Sequence, residues 1–207
     1  MRRVVHLAFP FVPEGSEERI RAVVADAEVL RVSYLENLSR RIARASTSDA
    51  ERRASAPPLT DEQRDAFAQA EVLLALDVPV GLAELAPNLR WVLVAAAGTE
   101  HLAGGGLGGR GIAVTNVRGI AATSMAEFVI GRLLAIWKRS DEIEANQRER
   151  QWSPAFGQTF AGSTIGIVGV GAIGTAIARL AKAFGTTVLG VRRSGAPIPE
   201  VDEMFAP

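Results

Sequence analysis

The chain has 207 residues, room for one large domain or two small ones, and its 48% apolar and 22% charged residues give the balance of a soluble globular protein. Lys plus Arg and Asp plus Glu number 23 each, which leaves no basic field for nucleic acid and no acidic solvating tail. Cysteine is absent, so disulfides, thiolate metal sites and a Cys nucleophile are excluded, and His6 and His101 alone do not make a multi-histidine metal site.

The start, Met1-Arg2-Arg3, leads into a short apolar run without the length or cleavage site of a signal peptide. No apolar stretch approaches the roughly 20 residues needed to span a bilayer. A cytoplasmic protein with neither membrane nor nucleic-acid partner is expected. Val4 to Phe9, ended by Pro10 and Pro13, reads as a buried strand. Ser16 followed by Glu17 and Glu18 opens an amphipathic helix carrying Ile20, Val23 and Val24. Val29 to Tyr34 alternates like a second strand, and residues 37–58 read as one surface helix and a loop. Thr60 to Gln63 starts a further helix ending near Ala70. Strands are expected at Glu71 to Leu76, Arg90 to Val94 and Ile112 to Thr115, with a flexible glycine loop at Gly104 to Gly109.

Ala122 to Arg139 is the clearest helix, with Ala126, Val129, Ile130, Leu133, Leu134 and Trp137 forming one apolar stripe. Asp141 to Trp152 extends or flanks it. Thr164 to Val168 is a continuous apolar strand. A helix with Ile173, Ile177, Leu180 and Phe184 on one face follows, ended by Gly185. Thr187 to Val191 is the next strand, and Gly195 to Pro207, with three prolines, reads as a connecting loop. Strands alternating with helices imply a parallel sheet with helices on its faces.

Between the last strand–helix pair lies Gly-x-Gly-x-x-Gly at Gly169, Gly171 and Gly174. Alone the pattern is weak. Here it sits between a strand and a helix, the context dinucleotide binding requires. Gly169 permits the tight turn, Gly171 lets the backbone approach a pyrophosphate, and Gly174 lets helix and strand pack closely. The unpaired amides of Ala172 and Ile173 would face the phosphates at the positive end of the helix dipole. An NAD-selective site places an Asp or Glu after the second strand, but here Arg192, Arg193 and Ser194 stand there, eighteen positions past Gly174. A guanidinium accepts no ribose hydroxyl proton but pairs with a 2′-phosphate, so NADP is the preferred cofactor and NAD a possible one. The alternatives are a ligand-free glycine turn, or a solvated arginine pair beside bound NAD.

These segments, with Leu89-Arg90-Trp91 through Ala97-Gly98-Thr99-Glu100-His101-Leu102, Val114-Thr115-Asn116 through Arg118-Gly119 to Ala126-Glu127, Trp152, and Gly162 through Gly169 on to Phe184-Gly185, resemble the D-isomer-specific 2-hydroxyacid dehydrogenase family. Asp is commoner than Glu100 at its position in the family. The resemblance implies an α/β protein: a flavodoxin-like substrate domain over residues 1–101, then over residues 102–207 the first part of a Rossmann domain, with only two strands of an incomplete sheet recognisable. It implies hydride transfer between a nicotinamide and a small 2-oxo or 2-hydroxy acid, bound in an interdomain cleft. The amides of Ala97 and Gly98 would hold the acid's carboxylate, and Ala122 and Thr123 would lie near the nicotinamide. Glu127 matches a recurrent family position, although partnering a helix N-terminus is an equal reading. His101 and His6 are read as structural.

The family's catalytic Arg, Glu and His follow the second half of the nucleotide domain and have no counterpart in this sequence, so no catalytic residue is assigned. A truncated, inactive fragment is expected. A non-catalytic nucleotide-binding or interaction protein, or one half of a two-chain enzyme, are the rival readings. Self-association is expected, as a homodimer or with the missing C-terminal part, because the Ala122 to Trp137 helix and an open strand edge offer apolar surface.

Overall fold

The computed structural model describes residues 3–207, and its contacts separate two compact units that meet between Arg118 and Gly119. The first holds β1 (Val4–Leu7), α1 (Ser16–Val23), β2 (Glu28–Leu30), α2 (Leu38–Ala43), α3 (Asp49–Ser55) and α4 (Asp61–Gln69). It continues with β3 (Val72–Ala75), α5 (Leu82–Leu85), β4 (Trp91–Val94), 3-10 turns at Glu100–Leu102 and Leu107–Gly109, and β5 (Ala113–Asn116). The five strands are parallel in the order β2-β1-β3-β4-β5, the flavodoxin-like order.

Side-chain alternation along the strands builds two separate cores. Val5, Leu7, Val72 and Leu74 face Ile20 of α1 and Val24 just after it on one side of the sheet. Leu73, Ala75, Val92 and Val94 face Phe67, Leu82, Leu102 and Leu107 on the other. A capping box fixes the start of α4, with Thr60 and Gln63 satisfying each other's backbone N–H.

Several sequence expectations in this unit differ from the structure. The strand expected over Val29 to Tyr34 is the shorter Glu28–Leu30. Residues 37–58 form two short helices, not one. The Ser46 and Thr47 hydroxyls donate to the Ala43 carbonyl and close α2, and a second capping box, Ser48 with Glu51, opens α3. The glycine loop is bonded down: the carbonyls of Gly104 and Gly105 accept from the amides of Gly81 and Ala83 at 2.8 and 2.9 Å. The domain boundary was placed after residue 101, whereas β5 pairs with β4 from Trp91↔Ala113 to Val94↔Asn116 and so joins the first sheet.

The second unit holds α6 (Ala122–Trp137), α7 (Ser140–Arg148), β6 (Thr164–Val168), α8 (Ala172–Ala183), β7 (Thr187–Val191) and β8 (Glu203–Phe205). Arg139, at φ 56°, breaks α6 from α7. Helix α8 ends in a Schellman motif: Gly185 sits at φ 74°, its amide reaches the Lys182 carbonyl at 2.9 Å, and the Thr186 amide reaches that of Ala181 at 3.4 Å. Ile130, Ile167, Ala178, Ala181 and Val188 form the core.

The segment read as a loop, Gly195 to Pro207, contains a strand. β8 pairs in parallel with β7 from Leu189↔Glu203 to Val191↔Phe205, and Val201 just before it is buried in the core. A three-residue strand flanked by prolines shows no periodicity of its own, and pairing with β7 creates it. The sheet therefore has three strands, in the order β6-β7-β8, which is one half of the Rossmann order 3-2-1-4-5-6. Pairing with β8 covers the second side of β7, and of the two places where an open edge is expected, Thr164 to Val168 and Thr187 to Val191, it is β6 that lies at an edge of the described sheet.

Candidate nucleotide and acid sites

The register Val168↔Val191 ends β6 and β7 side by side, so the residues that follow each strand emerge together. Gly169 follows β6 at φ 98°, a conformation costly for any side chain, and its amide donates to the Val191 carbonyl at 2.9 Å. Gly171 caps α8 in an extended conformation, and a Cβ built on it meets nothing within 4 Å. Gly174 is the opposite case. Its Cβ would stand 2.5 Å from the Gly169 carbonyl oxygen and 3.3 Å from Ile167 Cγ2. The bare Gly174 Cα thus lets α8 start against the turn.

Ala172 and Ile173 open α8, where the first amides have no intrahelical acceptor. No side chain caps this end and no acidic residue stands in its first turn. The positive end of the dipole therefore faces open space above Gly171, and these residues fit a dinucleotide pyrophosphate.

Arg192, Arg193 and Ser194 directly follow β7. The Arg192 amide donates to the Phe205 carbonyl at 3.1 Å, and its Nε donates to Ser194 Oγ at 2.8 Å. Neither arginine forms an ion pair among the described residues, which leaves two guanidiniums without an acidic partner beside the glycine turn. Ala122 and Thr123 form the first turn of α6. A Cβ on Gly119, just before them, would lie 3.7 Å from the Ala172 Cβ, so the starts of α6 and α8 converge. Glu127 is exposed on α6.

In the first unit, Ala97 and Gly98 follow β4 on the exposed end of the sheet. Asn116 Nδ2 donates to the Ala97 carbonyl at 2.6 Å. The Glu100 carboxylate lies against Gly98, with Oε2 2.6 Å from where a Cβ would be. His101 Nε2 bonds the Leu76 carbonyl at 2.7 Å, and His6 Nε2 bonds that of Val32 at 2.8 Å. His6 is fully buried, and burial lowers its pKa. Among the described residues no group of His, Asp and Glu is placed to hold a metal ion. No described helix is long and apolar enough to cross a membrane.

Sequence reasoning passed over two glycines that shape the second unit. A Cβ on Gly157 would come within 2.4 Å of Lys138 Cα, so the chain crosses the end of α6 at backbone contact. One on Gly190, in β7, would meet Val170, Val201 and Met204 at 2.9–3.1 Å. A glycine inside a strand signals close approach, and that was the available cue.

Residues 130–206, which include the glycine turn and both strands beside it, match the family described as D-isomer specific 2-hydroxyacid dehydrogenase, NAD binding domain. The stretch over residues 130–206 belongs to this family's NAD binding domain. The chain is 32% identical to a glyoxylate reductase of Thermofilum pendens over 64% of this chain and 42% of that protein. It is 37% identical to a glyoxylate reductase of Korarchaeum cryptofilum over 56% of this chain and 37% of that one. Among solved structures, a D-isomer specific 2-hydroxyacid dehydrogenase family protein from Aeromonas salmonicida superposes with a TM-score of 0.68 at 26% identity, covering 100% of this chain and 59% of that one. The chain thus spans about two-fifths of the length of the curated relatives it matches. A nicotinamide cofactor is the ligand class of the matched domain.

Proposed function

We propose that this chain provides the nucleotide-binding turn and the acid-binding turn of an NADP-preferring oxidoreductase for small 2-oxo and 2-hydroxy acids. Bound nicotinamide would supply the hydride exchanged with the acid's 2-carbon. The amides of Ala172 and Ile173 hold the pyrophosphate above Gly171, and the starts of α6 and α8 bring Ala122 and Thr123 beside it. The amides of Ala97 and Gly98 take the acid's carboxylate. Proton transfer is assigned to no residue here, since the rings of His6 and His101 each spend Nε2 on a backbone carbonyl. The outward face of α6, with Phe128, Met125 and Ile136 exposed, is the proposed surface for a homodimer.

The observation that carries the cofactor preference is the pair Arg192 and Arg193, free of carboxylate partners among the described residues at the end of β7. A charge-assisted bond to a phosphate contributes about 1.5–3 kcal/mol, or roughly 10- to 100-fold in affinity. Arg192→Asp is therefore expected to weaken NADPH binding by that factor and to leave NADH binding level or improved, as read by nicotinamide fluorescence titration. Equal losses for both cofactors would overturn the preference.

A further inference from the structure

The first unit buries a cluster of ionisable side chains beyond the C-terminal ends of its strands. Asp77 is fully buried, and Arg44 and Glu36 are 4% and 7% exposed. Arg44 Nη1 donates to the Val78 carbonyl at 2.6 Å, to Asp77 Oδ1 at 3.2 Å and to the His101 carbonyl at 3.2 Å. Its Nη2 donates to the Glu36 carboxylate, which also accepts from the Tyr34 hydroxyl at 2.6 Å. Asp77 accepts in addition from the amides of Glu36 and Val78 at 3.0 and 2.8 Å. Burial pushes the Asp77 carboxyl up, and the Glu36 amide and Arg44 act against it.

A buried ion cluster is poor evidence for stability, because desolvation consumes most of the attraction. What a guanidinium does supply is a rigid fork of donors that joins several segments at once. Here Nη2 reaches Glu36 ahead of α2, and Nη1 reaches the loop after β3 and the 3-10 turn at Glu100–Leu102. Only the last continues directly from Ala97 and Gly98. His101 is gripped at both ends, its carbonyl by Arg44 and its ring by the Leu76 carbonyl.

We infer that Arg44 is a positioning residue for acid binding, holding the His101 carbonyl and with it the turn that presents the Ala97 and Gly98 amides at a fixed setting against β3. This rests on the reading that those two amides take the acid's carboxylate. A lysine at position 44 keeps the charge but puts its donors on one nitrogen, so it does not reproduce the two-nitrogen reach to Glu36 and to the His101 carbonyl.

The test uses the intact protein labelled with nitrogen-15 and oxalate as the carboxylate probe. In wild type, oxalate is expected to shift the Ala97 and Gly98 amide signals. In Arg44→Lys its affinity should fall about tenfold, the loss expected from one ordering hydrogen bond to a charged group. The unliganded Gly98 and Thr99 signals should also move, while those of Val5 and Leu73 in the sheet stay in place and NADPH affinity is unchanged. Unmoved turn signals with unchanged oxalate affinity would overturn the role of Arg44. Oxalate that moves neither amide in wild type refutes the acid-binding reading instead, so the two failures are distinct. Should Arg44→Lys not fold, hydrogen exchange in wild type decides. The Leu102 and Ala103 amides, which close the turn on the Thr99 and Glu100 carbonyls, should then exchange as slowly as the β3–β4 ladder. Exchange about tenfold faster or more shows a turn that opens without the cluster, and sinks the inference.

Discussion

Alanine at Gly174 would put a methyl carbon 2.5 Å from the Gly169 carbonyl oxygen. That neighbour is backbone, so relief requires α8 to move off β6 by roughly 1 Å to reach an ordinary contact near 3.5 Å. Overpacking of this kind costs about 1–3 kcal/mol, and replacing glycine within a helix returns up to about 1 kcal/mol. Because the neighbour is backbone at 2.5 Å, the upper part of the overpacking range applies, about 2–3 kcal/mol. The net loss is about 1–2 kcal/mol, a fall of roughly 4–16 °C in the melting of a unit this size. Gly171→Ala perturbs the same turn in the opposite sense. With extended backbone and nothing within 4 Å of the new Cβ, stability should change by less than about 0.5 kcal/mol. The methyl would instead occupy the space assigned to the pyrophosphate and cost one or two amide–phosphate bonds, roughly 10- to 100-fold in NADPH affinity. Thermal melting by far-ultraviolet circular dichroism and NADPH fluorescence titration on both variants separate the effects. The reasoning is refuted if Gly171→Ala binds NADPH as tightly as wild type, or if Gly174→Ala melts at the wild-type temperature.

His6 makes the first unit acid-sensitive. Its folded pKa lies below the ordinary value of 6.5, so the unfolded chain binds more protons in that window and stability present above pH 6.5 is lost as pH falls through it. Urea midpoints at neutral and mildly acidic pH should therefore drop less in His6→Leu than in wild type, and identical slopes would dismiss the idea. Gly190→Ala drives a methyl to 2.9 Å from both Val170 Cγ2 and Val201 Cγ1 and should lower stability by about 1–3 kcal/mol, measurable by thermal melting. Phe128, 70% exposed on α6, is the probe of the proposed dimer: Phe128→Asp should sediment as a monomer with unchanged helix content. A wild-type protein that is monomeric at high concentration removes that assignment.

What the sequence makes legible follows the distance over which each constraint acts. The glycine turn is readable because strand, turn and helix impose their demands within a few consecutive residues, and Thr164–Val168, Ala172–Ala183 and Thr187–Val191 stand where the pattern places them. The capping box at Thr60 and Gln63 is equally local. β8 is not local, since Glu203–Phe205 becomes a strand only by pairing with β7. The stripe on α6 was readable, yet its meaning was not. Ile130, Leu133 and Leu134 are committed to the core of the second unit, and the apolar surface left outward is Met125, Phe128 and Ile136.

The same rule divides the two proposed sites. The nucleotide turn is made by its own residues, and one stretch of sequence names nearly all of it. The acid turn is short and bland, Ala97-Gly98, and what holds it comes from Arg44, Asp77 and Leu76, far off in sequence. An arginine in an Arg-rich helix looks like a solvated surface charge until the fold buries it. A site whose geometry is set by remote buried groups leaves no local pattern. The support of the proposed acid-binding turn is therefore readable only through its tertiary contacts, and substitutions at Arg44 should affect acid binding while leaving the nucleotide turn untouched.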